Sequence, residues 1–153
     1  MSLFGKRKPQ NNAQQQPPAP QNGGDWHITQ LEGFIKQANA NDPRLSEALK
    51  DAGMAYLNGT NGAAPDAQKG KQYLRQAAEK GNGMALFMFG MADVQKALEG
   101  ESTEENKLVF STGTVQLVKA HCAGYTPATD MLNDLIKDNW WPGVTCIEDL
   151  MKI

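Results

Sequence analysis

The sequence predicts an all-α protein, and three observations support that fold class. Ala, Leu, Met, Gln, Lys and Glu recur at spacings of three and four residues, as they do in helices that bury one face. Runs of β-branched residues, which strands favour, are scarce. Gly, Pro, Asp and Asn stand between the periodic stretches, where helices end and begin. No strand is therefore expected.

The chain divides at about residue 24 into two parts of unlike composition. Of 153 residues with a net charge of -2, the first 24 hold Lys6, Arg7 and Lys8, no acidic residue, and twelve Gln, Asn or Pro. This composition buries too little apolar surface to offset the entropy of ordering, so residues 1–24 are expected to be a disordered, basic leader. Residues 25–153, with twelve basic and seventeen acidic side chains, are expected to form one helical domain.

Charge and cysteine content exclude several classes of protein. An acidic domain lacks the positive field that duplex binding requires, so no nucleic-acid partner is expected. Cys122 and Cys146 form no CxxC pair, which favours a reducing, cytoplasmic location without structural disulfides. No apolar stretch reaches the roughly 18 residues of a membrane span, and no apolar segment of a signal peptide follows the basic start. Membrane contact is expected to be weak at most, through Lys6, Arg7 and Lys8.

Capping signals divide the domain into six helices and a short last one. Asp25, Asp42 before Pro43, and Asp66 are predicted to cap the first three helices. Gly81 is predicted to end the third helix in the left-handed conformation. The fourth helix is apolar nearly all round and is expected to be the most buried. The predicted ranges are about 26–38, 43–58, 67–80, 82–98, 107–123, 127–138 and 147–153.

The chain repeats itself at an offset of 43 residues. The matched residues are Ala77, Gly81, Ala85 and Phe89, which correspond to Ala120, Gly124, Ala128 and Leu132. A period in this range indicates stacked helical hairpins. Alanine at a crossing lets two helices approach closely, and glycine ends a helix tightly.

A larger set of residues at fixed offsets defines the clearest unit. The set comprises Ala52, Gly53, Tyr56, Gly59, Gly62, Asp66, Lys69, Tyr73, Ala77, Ala78, Glu79, Gly81, Ala85, Phe89 and Gly90. Together they resemble the Sel-one-like repeat, a relative of the tetratricopeptide repeat. The unit at about 46–84 matches well, and the one at about 85–128 is degenerate because Asp93 and His121 replace an aromatic residue and an alanine. The resemblance implies a short α-solenoid of antiparallel hairpins, with about two repeats plus capping helices.

The resemblance also implies a function, that of a non-catalytic adaptor or scaffold which binds a segment of a partner protein through the first helix of each repeat. The implied partner-binding row is Glu47, Lys50, Met54, Leu57, Met84, Phe87, Met91 and Val94, whereas Leu49, Tyr56, Leu86 and Phe89 are expected to be core. Flexible Met side chains suit an adaptable groove. Alternatively, the N-terminal helix or the C-terminal tail covers this row and makes it core.

Two adjacent tryptophans, Trp140 and Trp141, cannot both face one side of a regular element. One is expected to pack and the other to be exposed, and Trp141 is our candidate partner contact. The alternative is that both wedge against neighbouring helices.

The sequence contains no recognisable catalytic, metal or cofactor motif. His27 and His121 are the only histidines, and the side chains of His121 and Cys122 point apart on a helix, where Cys122 is expected to be buried. Together with what the resemblance implies, this leads us to expect a bacterial, cytoplasmic protein that is not an enzyme and has no cofactor. Two alternatives stay open: an inhibitory or immunity-type protein that blocks a cognate toxin or effector, and an enzyme subunit with Cys122 or Cys146 as nucleophile.

Overall fold

A computed structural model describes residues 26–153 of the chain, and these residues form seven helices. The helices are α1 (Ile28–Gln37), α2 (Leu45–Asn58), α3 (Ala67–Glu79), α4 (Gly83–Glu99), α5 (Glu104–Cys122), α6 (Thr126–Lys137) and α7 (Ile147–Leu150). No strand occurs in residues 26–153, so the predicted all-α class is confirmed. Each helix packs against its neighbours along the chain, and the α2/α3 and α4/α5 pairs have the most extensive contacts. The prediction for residues 1–24 lies outside the described residues. The predicted Asp25 cap was wrong, because α1 begins at Ile28 and the His27 side chain caps it by accepting a hydrogen bond from the Thr29 backbone N–H at 3.3 Å.

The helix starts agree with the capping signals at Asp66 and differ at Asp42. The Asp66 carboxylate accepts hydrogen bonds from the backbone N–H groups of Gln68 and Lys69, at 3.1 and 3.0 Å, and caps α3. Asp42 instead pairs with the Arg44 guanidinium at 2.7 Å, which holds the pKa of that carboxyl at about 2. Because Asp42 is engaged in the turn around Pro43, α2 begins at Leu45, two residues later than predicted.

Two turns of the 43-residue repeat have the same backbone geometry. Gly81 and Gly124 have φ angles of +82° and +81°, in the left-handed region that favours glycine. After Gly81 the backbone N–H of Asn82 donates to the carbonyl of Ala77 at 2.9 Å, and after Gly124 that of Tyr125 donates to Ala120 at 3.0 Å. The predicted left-handed conformation of Gly81 is confirmed, and Gly124, its counterpart in the 43-residue repeat, has the same conformation.

Pairs of glycines bring two pairs of antiparallel helices into backbone contact. A Cβ atom added at Gly70 of α3 would lie 2.9 Å from the carbonyl oxygen of Gly53 in α2. A Cβ atom added at Gly113 of α5 would lie 2.8 Å from the carbonyl oxygen of Gly90 in α4. The α2/α3 and α4/α5 crossings therefore use the same close approach.

Burial is greatest in α2, whereas α4 was expected to be the most buried helix. The buried residues of α2 are Leu45, Ala48, Leu49, Asp51, Ala52, Gly53, Ala55 and Tyr56. Those of α4 are Ala85, Leu86, Gly90 and Val94, while its Met and Phe side chains are only half-buried. The reason is geometric, because α1 and α3 both pack on α2, whereas the groove between α3 and α5 leaves part of α4 uncovered.

A polar cluster around Glu32 fastens α1 onto the α2/α3 pair. Glu32 Oε1 accepts hydrogen bonds from the hydroxyls of Tyr56 (2.7 Å) and Tyr73 (3.0 Å) and pairs with Lys69 Nζ at 2.8 Å. Burial raises the pKa of Glu32, but the bonds from Lys69, Tyr56 and Tyr73 outweigh burial, so the pKa lies below its ordinary value. Burial beside this carboxylate also raises the pKa of Tyr73 to about 12. The carboxylate thus holds three elements together in its ionised form.

We expect Gly113→Ala to destabilise the protein by about 1–3 kcal/mol, because the added methyl group overlaps the backbone of α4. The free energy of urea unfolding measures this cost. Gly33→Ala is the matched control, since nothing lies within 4 Å of its added Cβ atom, and it should stabilise α1 by about 0.5–1 kcal/mol. Equal effects of the two substitutions would contradict the close approach.

We expect the stability contributed by Glu32 to be present above its ordinary pKa of 4.5 and to be lost as the pH falls through the lower native value. The sign follows because a depressed carboxyl pKa means that the unfolded chain binds the proton more readily. Unfolding free energies at pH 6 and pH 3 should therefore differ less in Glu32→Gln than in the wild type. The exposed Glu105→Gln serves as control, and an unchanged pH dependence in Glu32→Gln would show that the cluster does not stabilise the fold.

Candidate functional site

Three members of the predicted row meet at a small cavity of about 240 Å³ between the starts of α2 and α4. They are Glu47, Lys50 and Met84. Lys50 Nζ pairs with Glu47 Oε1 at 2.5 Å, and Asn82 Nδ2 donates to Glu47 Oε2 at 2.9 Å. The charged and amide side chains of Glu47, Lys50 and Asn82 in this cavity therefore already have partners within the protein.

A buried carboxylate lies beside this cavity. Asp51 is 7 % exposed, and its Oδ1 atom pairs with Lys50 Nζ at 2.7 Å. Its Oδ2 atom has no hydrogen-bond partner among residues 26–153. Burial raises the pKa of Asp51 more than Lys50 lowers it. Burial lowers the pKa of Lys50, but Asp51 and Glu47 raise it by a larger amount. The net shift is upward, so Lys50 stays charged.

The other members of the row pack inside the molecule. Met54 and Leu57 contact the cluster formed by Leu49 and Leu74. Phe87 and Met91 are half-buried against a second cluster that includes Leu132 and Leu135 of α6 and Ile147 of α7. The C-terminal helices thus cover this part of the row, as the alternative interpretation expected.

Val94 cannot serve as a contact residue because it is 1 % exposed. It packs with Leu117, Leu132 and Ile147 in the core. The resemblance implied an open position for Val94, because Val94 stands four residues after Gly90 as Leu57 does after Gly53. In the folded molecule α6 covers it. Of the four residues expected to be core, Leu49, Tyr56 and Leu86 are buried and Phe89 is half-buried.

The two tryptophans both contact Phe110 and differ in exposure. Trp141 packs against the core cluster around Val94, whereas Trp140 is 46 % exposed. Their ring centroids lie 5.5 and 5.2 Å from that of Phe110. One tryptophan packs and the other is exposed, as predicted, but the exposed one is Trp140 and not our candidate Trp141.

These rings line a cleft of about 560 Å³ between the α4–α5 loop and the turn after α6. We name it the aromatic cleft and define it by Leu98, Phe110, Trp140 and Trp141. Leu98 is 43 % exposed. Large apolar side chains that remain in contact with solvent beside a concave surface are typical of a binding site. The sequence pointed to Trp141 alone, because the loop and the turn meet only in the folded molecule.

The turn that presents the tryptophans is fixed by local backbone geometry. Asn139 and Gly143 both have positive φ angles, +57° and +87°, and reverse the chain on either side of the pair. The Asp149 carboxylate accepts hydrogen bonds from the backbone and hydroxyl of Thr145 at 3.3 and 3.1 Å, and a backbone bond from Thr145 is the chief cause of its pKa of about 2. Buried Ile147 then anchors α7 in the core.

The α4–α5 loop and the first turn of α5, which form the opposite rim of the cleft, are acidic overall, and of their charged residues Glu101 and Lys107 line the cleft itself. Thr103 accepts a hydrogen bond from the Asn106 backbone at 3.2 Å and caps α5, which therefore begins three residues earlier than predicted. Asn106 Nδ2 donates to the carbonyl of Glu101 at 2.6 Å and orders the loop. The segment 99–107 carries four exposed glutamates, of which one pairs with its single lysine. These charges give the rim a net negative potential.

A larger groove of about 850 Å³ lies between α3 and α5, with α4 as its floor. Leu86 and Phe89 lie on the floor. Arg75 and Glu79 line it from α3, and Lys119 lines it from α5. The mixed charges give this groove no clear preference for the charge of a partner. The sequence did not indicate it, because residues of three separate helices form it.

The two cysteines and His121 each interact with a different residue. Cys122 is exposed, so its predicted burial was wrong, and its Sγ atom lies 3.9 Å from Met151 Sδ. His121 Nδ1 bonds the hydroxyl of Thr129 at 2.7 Å. A backbone hydrogen bond from Asp149 lowers the pKa of the Cys146 thiol, but the nearby carboxylates and burial raise it, and the net shift is upward.

Compared with protein-family models, curated proteins and solved structures, the chain matches none. The Sel-one-like resemblance therefore remains a prediction that rests on the residues quoted for it. Over residues 26–153, no helix is long and apolar enough to cross a membrane. The same part of the chain contains no group of three or more His, Cys, Asp or Glu side chains able to hold a metal ion.

We expect Cys146 to react with Ellman's reagent more slowly in the native protein than in the unfolded chain at pH 7, because a raised pKa lowers the thiolate fraction. Cys122→Ser isolates Cys146 for this measurement, and Cys146→Ser reports the exposed Cys122 as reference. A native rate for Cys146 above the unfolded rate would favour the nucleophile alternative.

Proposed function

We propose that this protein is a non-catalytic protein-interaction module, built as a short α-solenoid of Sel-one-like hairpins. Two features support the solenoid. The Gly53–Gly70 crossing of α2/α3 recurs as the Gly90–Gly113 crossing of α4/α5. The left-handed turn that joins α3 to α4 recurs between α5 and α6. Repeated crossings and repeated turns are what stacked hairpins require.

The aromatic cleft is the proposed binding site, and the exposure of Trp140 is the observation that carries this proposal. Its ring lies open to solvent while Phe110 and Trp141 beneath it are fixed by the core. Tryptophan in a preformed apolar cleft is the residue type that contributes most to binding energy at protein interfaces. Of the residues predicted to bind a partner, Trp141 lines this cleft, and Phe87, Met91 and Val94 belong to the core cluster against which Trp141 packs.

The acidic rim determines the kind of partner. A segment with a large apolar side chain fills the cleft, and neighbouring Lys or Arg residues on that segment lie against Glu101 and the glutamates of the α4–α5 loop. Charges at the rim of an interface chiefly raise the association rate and select among partners. The proposed partner is therefore a protein segment that is both apolar and basic.

We expect Trp140→Ala to reduce capture of the partner from a native cell extract by more than tenfold, since a central tryptophan contributes about 2 kcal/mol or more. Affinity capture with quantitative mass spectrometry measures the loss. Val115→Ser is the matched control, because Val115 is 51 % exposed on α5 and does not line the cleft.

Both variants should keep the helical circular dichroism of the wild type, since each alters an exposed side chain. Equal capture by the wild type and Trp140→Ala would exclude the cleft as the binding site. Capture that is lost in Val115→Ser and kept in Trp140→Ala would instead place the partner on the outer face of α5.

A further inference from the structure

We propose that the N-terminal segment of this chain, Leu3-Phe4-Gly5-Lys6-Arg7-Lys8, occupies the aromatic cleft of the same molecule and competes there with the partner. This inference rests on the proposed function of the cleft and adds its regulation. The occupant is defined by its chemistry, which is a pair of large apolar residues beside three cations.

The first reason for this proposal is that the N-terminal segment and the cleft are complementary in charge and in apolar character. The four exposed glutamates of segment 99–107 are opposed in that segment by one lysine, which already pairs with Glu104 at 2.7 Å. Lys6, Arg7 and Lys8 are the only charges in the first 24 residues. Phe4 or Leu3 supplies an apolar side chain for a cleft whose floor is Phe110 and Trp141. No other stretch of the chain places two large apolar residues next to three consecutive basic ones.

Topology places the start of the described chain at the same end of the molecule as the cleft. Successive helices run antiparallel, so the α2–α3 loop, the α4–α5 loop and the turn after α6 lie at one end. Trp26 lies at that end, because Asn61 of the α2–α3 loop donates to its carbonyl at 2.8 Å. The N–H of Ile28 donates to Asn61 in return at 2.7 Å.

The segment of chain between the basic residues and Trp26 is long enough to reach the cleft. Residues 9–25 comprise seventeen residues, which span up to about 55 Å when extended. Neighbouring helices lie about 8–10 Å apart, so the four steps from α1 to α5 cover at most about 40 Å. The basic segment therefore reaches the cleft without any rearrangement of the helices.

Because the segment is tethered to the domain, it occupies the cleft for most of the time even when its intrinsic affinity is weak. A short tether gives a local concentration of about 1 mM, so a segment that binds in isolation with a Kd of about 0.1 mM occupies its own cleft about nine-tenths of the time. A partner segment then binds the wild type about tenfold more weakly than it binds a chain whose leader cannot dock.

The test uses a labelled synthetic peptide of residues 1–10 and the full-length chain. We expect the peptide to bind the Leu3→Ser/Phe4→Ser double variant about tenfold more tightly than the wild type by fluorescence anisotropy, because the variant leaves its cleft free. Binding to the double variant should be lost when Trp140→Ala is added. It should weaken at least threefold when Glu101→Lys is added and as NaCl rises from 50 to 500 mM. A peptide with both serines is the matched negative control.

Each outcome decides the proposal. Equal binding of the peptide to the wild type and the double variant, or no binding to either, overturns it. Concentration-dependent dimers of the wild type that vanish in the double variant also overturn it, since the leader then docks onto a second copy. If the peptide fails while partner capture still depends on Trp140, self-occupancy is wrong and the interaction function stands. If neither depends on Trp140, the cleft itself is wrong.

Discussion

The fold depends on the contact of two helix backbones at each glycine crossing. Gly70 lies against the carbonyl oxygen of Gly53, and Gly113 lies against that of Gly90, at distances that leave no room for a side chain. Close approach lets Leu74 and Leu117 seat directly beside Gly53 and Gly90 and so fill the space around each crossing. Each helix pair thereby becomes a rigid unit, and the remaining helices pack onto two such units.

The aromatic cleft follows from the second of these units. Because α4 and α5 are held together near their middles, the loop between them lies in a fixed position at one end of the molecule. Helix α6 packs beside α5, and its end turns back so that Trp140 and Trp141 contact Phe110. An acidic loop and an aromatic turn that are more than thirty residues apart in sequence thus form one surface. In the succession of helices, α1 is the farthest from the α4–α5 loop. The Glu32 cluster fixes α1 and therefore also the position at which the N-terminal segment joins it.

Local signals predicted most of the fold because they act through adjacent residues. The Asp66 cap and the left-handed turns at Gly81 and Gly124 depend only on nearby backbone groups, and they are found where the sequence indicated. The site was less predictable. The resemblance implied that Val94 and Met91 lie in an open row, but α6 covers both to different extents. Gly70 and Gly113 were not recognised as crossing points, since a glycine inside a helix shows its partner only after the second helix is in place.

The sequence alone determined the all-α class, nearly every helix boundary to within three residues, and the recurrence of the Gly81 turn at Gly124, because propensity, capping and backbone conformation are local. For the two adjacent tryptophans it left two interpretations open, that one is exposed or that both pack. The tertiary structure decided which one, because Phe110 and the core around Val94 come from other helices and fix Trp141 while leaving Trp140 open. It likewise decided that Cys122 is exposed and that the acidic loop borders an apolar cleft. Those properties depend on which helices contact one another in the folded molecule, and no short segment of the sequence determines those contacts.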